Sequence, residues 1–234
     1  MPKNEAQVKI EKTHQILMDF YGRLKLEPRR EPLRELISTM LSHRTNHANE
    51  EKAYFNMLET FGDWDGVLQA KFEDLADSLK PAQFPGQKAA NIQKVLKIIK
   101  EHPENKGRIS IDFLKKMDTE EALEWLTGLP GVGLKTATLL LLFNYKKPVM
   151  PVDTHVFRVS QRIGILTATD TPEKAHTILL EMLPEDPAEL YNYHIHLLWH
   201  GQKICVWRKP KCEKCPLTKI CNYYQEVVKK DLKI

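Results

Sequence analysis

The sequence predicts an all-α protein. Apolar residues recur every three or four positions along most of the chain, which is the spacing of amphipathic helices. No stretch of useful length alternates apolar and polar residues, as a half-buried β-strand does. These two observations favour about ten helices joined by short loops.

The helical stretches can be assigned in chain order from this periodicity. They span residues 5–24, 30–42, 47–62, 84–102, 118–128, 134–145, 153–164, 171–183 and 188–201. The fifth stretch opens on Asp118, with Glu121 three residues later, as in a capping box. Gly128 follows it as a C-terminal stop, so this helix is predicted to begin and end at defined residues.

The size and composition of the chain favour a globular protein inside the cell. Its 234 residues suffice for one large or two small domains, and 42% are hydrophobic, enough for a buried core. No apolar run approaches the roughly 18–20 residues of a membrane span. The N-terminus is charged throughout and is not typical of a secretory signal. We therefore expect an intracellular protein without membrane association, in the cytoplasm or nucleoid if the source is bacterial or archaeal.

The positive charge is concentrated near the C-terminus. The chain has 35 Lys plus Arg against 31 Asp plus Glu, a net charge of +4. Residues 201–222 hold six basic residues and one acidic residue. A local basic patch of this kind suits a polyanionic partner.

The stretch "GLPGVGLKT" (residues 128–136) resembles a phosphate-binding P-loop, but Leu134 separates Gly133 from Lys135. A P-loop also follows a strand, whereas the preceding stretch is helical. A tight turn between two helices is therefore predicted. Gly131 and Gly133 would leave backbone N–H groups bare at the start of the next helix, where they can bind a DNA phosphate. The alternative is an ordinary helix–helix turn.

Two further residues suggest chemistry. Lys135 falls in the first turn of the following helix, where the helix dipole disfavours a cation, and apolar neighbours such as Leu134 and Ala137 would desolvate an inward side chain. Both effects favour the neutral amine, which attacks carbonyl carbons. Asp153 precedes the next helix as an N-cap candidate, and its carboxylate can also stabilise positive charge or move a proton. The alternatives are a surface lysine and a purely capping aspartate.

All four cysteines lie in one segment, at Cys205, Cys212, Cys215 and Cys221. A disulfide scaffold would distribute them along a shorter chain. Zinc and an iron–sulfur cluster both accept four thiolates. The spacing contains a single C-x-x-C pair, which leans towards a cluster. Arg208, Lys209 and Lys211 lie between the first two cysteines, on a loop that a metal would pin at both ends.

Taken together, "LPGVGLKTA", "VDTHVFRV", "LLWHGQKIC" and the C-x6-C-x2-C-x5-C spacing resemble the endonuclease III family of DNA glycosylases, in order and spacing. The resemblance covers roughly residues 15–225. It implies two helical domains flanking a DNA-binding cleft, with a helix-hairpin-helix element and a C-terminal [4Fe-4S] loop. One domain would span 26–134 and end at the hairpin. The other would combine 1–25 with 135–234 and carry the cluster within 205–221.

The resemblance also implies an activity and a site. The family excises damaged pyrimidines from double-stranded DNA and cleaves the strand 3′ to the abasic site by β-elimination. Lys135 matches its catalytic lysine, Asp153 its catalytic aspartate, and the four cysteines its cluster ligands, with the cluster structural. We expect a monomer that binds duplex DNA containing a damaged base or abasic site. The expected DNA contacts are His43, Arg44, Pro130, Gly131, Val132, Gly133, Arg208, Lys209 and Lys211.

The sequence departs from the family pattern at "LSHRTNH" (residues 41–47), where the family usually reads L-S-A-Q-T-T-D. Arg44 occupies the place of the glutamine that fills the hole left by the flipped base, and His47 replaces an acidic residue. Arginine can plug the same gap and favours guanine acceptors. Oxidised pyrimidine is the first substrate expectation, and uracil or thymine mismatched with guanine is the alternative.

Four other interpretations remain for this sequence. The chain could be an adenine-removing relative, but such proteins carry a glutamate where this chain has Thr39, and they usually lack the lysine. Both points count against this interpretation. A helix-hairpin-helix protein can bind DNA without catalysis. A zinc site is possible at the four cysteines, and His196 and His200, at i and i+4 of "HIHLLWH", suggest a second metal site that lacks an evident carboxylate ligand.

Overall fold

The chain is described by a computed structural model over residues 3–228, and its regular secondary structure there is helical throughout, with no β-strand. The α-helices in this range are α1 (Lys3–Tyr21), α2 (Pro32–Ser42), α3 (His47–Phe61), α4 (Trp64–Gln69), α5 (Phe72–Ser78), α6 (Pro85–Glu101), α7 (Thr119–Thr127), α8 (Leu134–Tyr145), α9 (Thr154–Ile163), α10 (Pro172–Leu180) and α11 (Pro187–Lys203). The all-α prediction is confirmed. No helix within residues 3–228 is long and apolar enough to cross a bilayer.

The chain divides into two compact units. Pro28–Tyr145 forms one, with α2 to α8, and the segments before and after it form the other, with α1 and α9 to α11. The sequence placed the boundary after Leu134, at the hairpin, but the structure places it after Tyr145. The reason is that α8 packs on α2 and α7, so the whole helix belongs to the first unit.

Local sequence explains how the helices of the 28–145 unit begin. Glu31 accepts hydrogen bonds from the N–H groups of Leu33 and Arg34, and Pro32 occupies the first turn of α2. Asp118 caps α7 by accepting from the Glu121 N–H at 2.8 Å, as the capping-box pattern predicts. Gly128 then caps the C-terminus of α7 through a bond to the Glu124 carbonyl. These caps fix the direction in which α7 enters the following turn.

The second unit is built around α11, which packs against α9 and α1. Its histidines are buried and bonded within this unit. His194 Nδ1 lies 3.0 Å from the Pro151 carbonyl oxygen, and His196 Nε2 lies 3.0 Å from that of Gly22. The "HIHLLWH" pattern therefore serves packing between α11 and the chain around it.

Candidate functional site

The predicted hairpin is present as helix, tight turn and helix. Leu126, in the last turn of α7, accepts from the Leu129 N–H, and Leu129 in turn accepts from the Val132 N–H, both at 3.1 Å. Gly131 has φ +79°, a conformation that favours glycine, and a Cβ there would lie 2.5 Å from Asn91 Nδ2. The chain reverses direction at Gly131, where both the backbone conformation and the space beside Asn91 favour glycine.

The turn leads directly into the exposed N-terminus of α8. The Gly133 carbonyl accepts the Ala137 N–H at 3.0 Å, so the N–H groups of the first turn have no carbonyl of their own helix to bond. Nothing lies within 4 Å of a Cβ built on Gly133, which leaves room for an anion. The Val132 side chain is buried, so its expected DNA contact can be made only by the main chain. Pro130 is half-buried in the same turn.

Lys135 is the second residue of α8, and its side chain is exposed. The inward, desolvated orientation considered from the sequence does not occur. Ala137 and Leu140 are fully or almost fully buried and occupy the core side of the helix instead. The amine is therefore accessible to a large ligand, next to the bare N–H groups of the turn.

The α2–α3 loop (residues 43–46) approaches the same region of the unit. His43 Nε2 lies 3.3 Å from Thr136 Oγ1, in the first turn of α8. Burial lowers the pKa of His43, and the positive charges of Lys135 and Lys88 act in the same direction. Neutral His43 therefore lies close to Lys135. His47 begins α3, where it lies exposed with Nδ1 3.1 Å from Glu50 Oε2.

Arg44 stands at the tip of the α2–α3 loop in a left-handed conformation, with φ 54°. Its guanidinium lies 5.8 Å from the ring centre of Phe84, which is 52% exposed and is also left-handed. A cavity of about 420 Å³ opens beside them. Its lining residues are Met40, His43, Arg44, Phe84, Gln87, Lys88, Asn91 and Gly131. The loop, the hairpin and α6 thus share one concave surface of this unit.

Lys88 was not singled out from the sequence. It is 7% exposed, and its Nζ donates to the Leu41 and His43 carbonyls and to Thr45 Oγ1 at 2.6, 2.9 and 2.9 Å. Burial lowers the pKa of Lys88 to about 8. The sequence does contain a signal that Lys88 is buried, because Lys88 precedes Ile92 by four residues and therefore lies on the apolar face of α6.

Asp153 belongs to the other unit. Its Oδ1 accepts from the N–H groups of His155 and Val156 at 2.9 and 2.8 Å, so the predicted N-cap of α9 is present. Its second oxygen, Oδ2, is not needed for that cap. A carboxylate held in this way has a fixed orientation, and its second oxygen remains available for another contact.

The cysteine segment follows α11 in the same unit. The four free cysteines line one narrow cavity of about 20 Å³. Burial, together with the neighbouring thiols of Cys221, Cys205 and Cys212, raises the pKa of Cys215 to about 12, against the opposing effect of a hydrogen bond from the Leu217 backbone. Thiols this close together need a cationic centre to ionise together. Within residues 3–228, no three His, Cys, Asp or Glu side chains are grouped to hold a single metal ion.

Two side chains approach the cysteine sulfurs. Arg162 Nη1 lies 3.4 Å from Cys205 Sγ and donates to the Val206 carbonyl at 2.8 Å. His200 Nε2 lies 3.3 Å from Cys215 Sγ, while its Nδ1 lies 3.3 Å from Tyr21 OH. Hydrogen bonds to sulfur are a feature of iron–sulfur sites, so the all-thiolate donor set and its surroundings fit such a cluster.

The loop between Cys205 and Cys212 displays its basic residues. Arg208, Lys209 and Lys211 are exposed. Trp207, which the sequence reasoning passed over, is 71% exposed and lies 5.9 Å from the Arg158 guanidinium. Arg158 also donates to the Cys205 carbonyl, which ties α9 to the start of the loop.

Comparison with known proteins gives a consistent result. The family described as HhH-GPD superfamily base excision DNA repair protein matches residues 37–185. Endonuclease III of Thermotoga maritima is 38% identical over 195 residues, which cover 83% of this chain and 84% of that protein. Endonuclease III of Rickettsia conorii is 34% identical over 189 residues, covering 81% and 83%. The solved structure of a non-covalent endonuclease III–DNA complex superimposes with a TM-score of 0.79 at 24% identity, over 97% of this chain and 99% of that one.

Proposed function

Because the chain belongs to the endonuclease III family within the HhH-GPD superfamily, it is a base-excision repair glycosylase and abasic-site lyase, and we propose that Lys135 is its nucleophile. The main observation that supports this role is the exposed position of Lys135 in the first turn of α8, beside a glycine turn whose N–H groups have no helical partner.

The proposed reaction uses the amine twice. A base in a duplex is inaccessible, so the damaged nucleotide is first flipped out of the stack. The Lys135 nitrogen forms a bond to C1′ of the sugar, and the bond from C1′ to the base breaks. Loss of a proton from nitrogen and opening of the sugar ring give a Schiff base. Removal of a C2′ proton then expels the 3′ phosphate by β-elimination, and water hydrolyses the Schiff base to release Lys135.

Asp153 is proposed as the carboxylate of this reaction. A carboxylate stabilises the positive charge that develops on the sugar as the base leaves, and it can accept and return protons. The N-cap of α9 uses Oδ1. That cap holds the side chain in one rotamer and leaves Oδ2 for the substrate.

The DNA contacts are proposed to be of two kinds. The main chain of Pro130–Gly133 and the side chains of Arg208, Lys209 and Lys211 bind phosphates, which fixes the register without reading sequence. His43 and Arg44 face the gap left by the flipped nucleotide. We also propose that the enzyme is a monomer and that it acts on duplex DNA inside the cell.

Oxidised pyrimidines are the proposed substrate class. A second candidate is uracil or thymine opposite guanine, and Arg44 is the observation that favours it. Arginine pairs with the O6 and N7 acceptors of guanine better than with those of the other bases. Excision from duplexes that carry a single oxidised pyrimidine, or a single uracil opposite guanine, separates the two.

The four cysteines are proposed to hold a [4Fe-4S] cluster. When bound, the cluster supplies a structural centre that fixes the loop 205–221 and takes no part in bond cleavage. Iron, acid-labile sulfide and zinc are measured on protein prepared without oxygen. Four irons with four sulfides per chain support the proposal, and one zinc per chain contradicts it.

Borohydride trapping tests the nucleophile. The protein reacts with duplex DNA containing one abasic site, and borohydride reduces the Schiff base to a stable amine that links protein and DNA. We expect an adduct with wild type and none with Lys135→Ala. Lys94→Ala, an exposed lysine of α6, is the matched control and keeps the adduct. Undiminished strand cleavage by Lys135→Ala contradicts the mechanism, and a folded wild type without adduct or cleavage indicates a DNA-binding protein without catalysis.

A further inference from the structure

The buried ammonium of Lys88 holds together the two ends of the α2–α3 loop. The acceptors of its three hydrogen bonds are the Leu41 and His43 carbonyls and Thr45 Oγ1. A lysine is seldom buried unless its charge is compensated. Here each proton of the ammonium has an acceptor, and both carbonyls lie at the C-terminal end of α2, where the helix dipole favours a cation.

These bonds enclose Arg44. Its two neighbours in sequence, His43 and Thr45, both bind the same Lys88 Nζ. Arg44 itself has φ 54°, a left-handed conformation that is unfavourable for a residue with a side chain. Such a conformation persists only where its surroundings impose it. The Lys88 bonds on both sides of Arg44 are that constraint.

The same contact reaches a second segment. Thr45 Oγ1 also accepts the Gln83 N–H at 3.0 Å, one residue before Phe84. Phe84 is left-handed too, and its ring meets the Arg44 guanidinium. Arg44 and Phe84 therefore form one side of the 420 Å³ cavity from two loops that share Thr45 and Lys88.

We propose that Lys88 is a positioning residue for opposite-base recognition: it holds the α2–α3 loop in the conformation that presents Arg44 to the base opposite the lesion. The proposal rests on the proposed function, in which Arg44 faces the gap in the duplex. Lys88 itself touches no substrate. Its removal leaves the nucleophile in place and frees Arg44 to leave the left-handed region.

The test compares binding with chemistry. Affinity is measured for four duplexes that carry a reduced abasic analogue opposite A, C, G or T, and Schiff-base formation is measured under single-turnover, saturating conditions. We expect the ratio of the highest to the lowest affinity among the four duplexes to be about tenfold smaller for Lys88→Met than for wild type. The saturated trapping rate stays near that of wild type. Lys100→Met, on the same helix and paired with Asp65, changes neither quantity.

Two more variants make every outcome informative. Arg44→Ala is expected to lose the same discrimination as Lys88→Met. If Arg44→Ala loses it and a folded Lys88→Met keeps it, the positioning role is wrong and the function of Arg44 stands. If wild type and Arg44→Ala discriminate equally, the premise fails and the proposal with it, whereas Lys135 trapping still reports the enzyme activity. If Lys88→Met does not fold, Thr45→Val decides: partial loss of discrimination supports the proposal, and wild-type discrimination overturns it.

Discussion

The Nε2 atom of His43 lies 3.3 Å from the Oγ1 atom of Thr136, so the α2–α3 loop is joined to the first turn of α8 one residue after Lys135. Thr136 is 1% exposed, which fixes its hydroxyl. Burial and the charges of Lys135 and Lys88 lower the pKa of His43. The ring is therefore neutral at physiological pH and places no further cation beside Lys135, the proposed nucleophile.

Replacement of Thr136 by valine removes the hydroxyl and keeps the shape of the side chain. The His43 ring then loses its partner, and we expect the free energy of unfolding to fall by about 1 kcal/mol. The Lys88 bonds still hold the main chain of the α2–α3 loop, but the His43 ring itself is free to move beside Lys135, so abasic-site trapping slows. Denaturant unfolding and single-turnover trapping measure the two effects.

Thr138→Val is the matched control for this change. Thr138 is also buried, but its Oγ1 donates to the Leu134 carbonyl of its own helix at 2.8 Å. We expect a similar stability change without slower trapping. Equal slowing in both variants would show that the His43–Thr136 contact has no special part in the reaction.

The two glycines of the hairpin are predicted to respond differently to substitution. Gly131→Ala forces a side chain into φ +79° and against Asn91, which costs about 1–2 kcal/mol of stability. Gly133→Asp meets open space, and an aspartate at the start of α8 suits both capping and the helix dipole. We therefore expect Gly133→Asp to keep or raise the melting temperature.

The same Gly133→Asp variant tests the proposed phosphate site at the hairpin. A carboxylate in front of the bare N–H groups occupies the anion position and repels a DNA phosphate, so the affinity for duplex DNA is expected to fall about tenfold or more. Fluorescence anisotropy at fixed salt concentration measures it. A stable Gly133→Asp protein that binds duplex DNA as wild type does would exclude the turn as a phosphate site.

The sequence predicted those parts of the fold whose signals are local. The helices α2 and α6 repeat their apolar positions over about three or more turns, and the capping residues Asp118 and Gly128 bracket α7 as expected. The helices α4 and α5, of six and seven residues, were missed because two turns are too short to establish a period. The boundary expected at the hairpin differs from the unit that ends at Tyr145 because the apolar residues after the first turn of α8 lie on all sides of the helix. Such a pattern predicts that the helix is buried but does not identify the unit that buries it.

The same distinction applies to the site. Lys135, Asp153 and the four cysteines stand in dense local motifs, so their residue types and spacing were enough to select them. Lys88 and Phe84 carry no motif. Their importance depends on contacts with the α2–α3 loop some forty residues earlier in the chain, and a side chain that acts through tertiary contacts is visible only in the folded structure.

Arg162 is predicted to help retain the proposed [4Fe-4S] cluster. Its guanidinium donates to the Val206 and Trp207 carbonyls at 2.8 and 2.9 Å and approaches Cys205 Sγ. Arg162→Met keeps the apolar stem and removes these donors. Since outer groups of this kind are worth about 10–100-fold in metal affinity, we expect the visible absorbance of the cluster to decay about tenfold faster in air.

Gln161→Met is the control for Arg162. It changes the neighbouring residue of α9, whose amide donates to the Thr167 carbonyl instead of the cysteine segment. Iron content and decay rate should match wild type. Equal decay in Arg162→Met and wild type would assign Arg162 to loop packing alone.

His176 is predicted to make the folded protein less stable as the pH becomes acidic. It is 7% exposed, and its Nδ1 lies 2.8 Å from the Met150 carbonyl oxygen. Burial lowers the pKa of His176 below its ordinary value of 6.5; the Met150 bond and Glu173 oppose this shift, and His194 adds to it. As pH falls through about 6.5, the unfolded chain takes up a proton that the folded protein does not, so the free energy of unfolding decreases.

Replacement of His176 by asparagine removes this titration and keeps a donor near the position of Nδ1. We expect the stability of His176→Asn to fall less steeply than that of wild type between about pH 6.5 and pH 5, because one of the groups that protonate on unfolding is gone. Some slope remains, since burial also lowers the pKa of His196. Denaturant unfolding at half-unit steps of pH gives both slopes, with about pH 7.5 as the reference where His176 is neutral in both states. Parallel curves for the two proteins would show that burial of His176 does not contribute to the acid sensitivity of the fold.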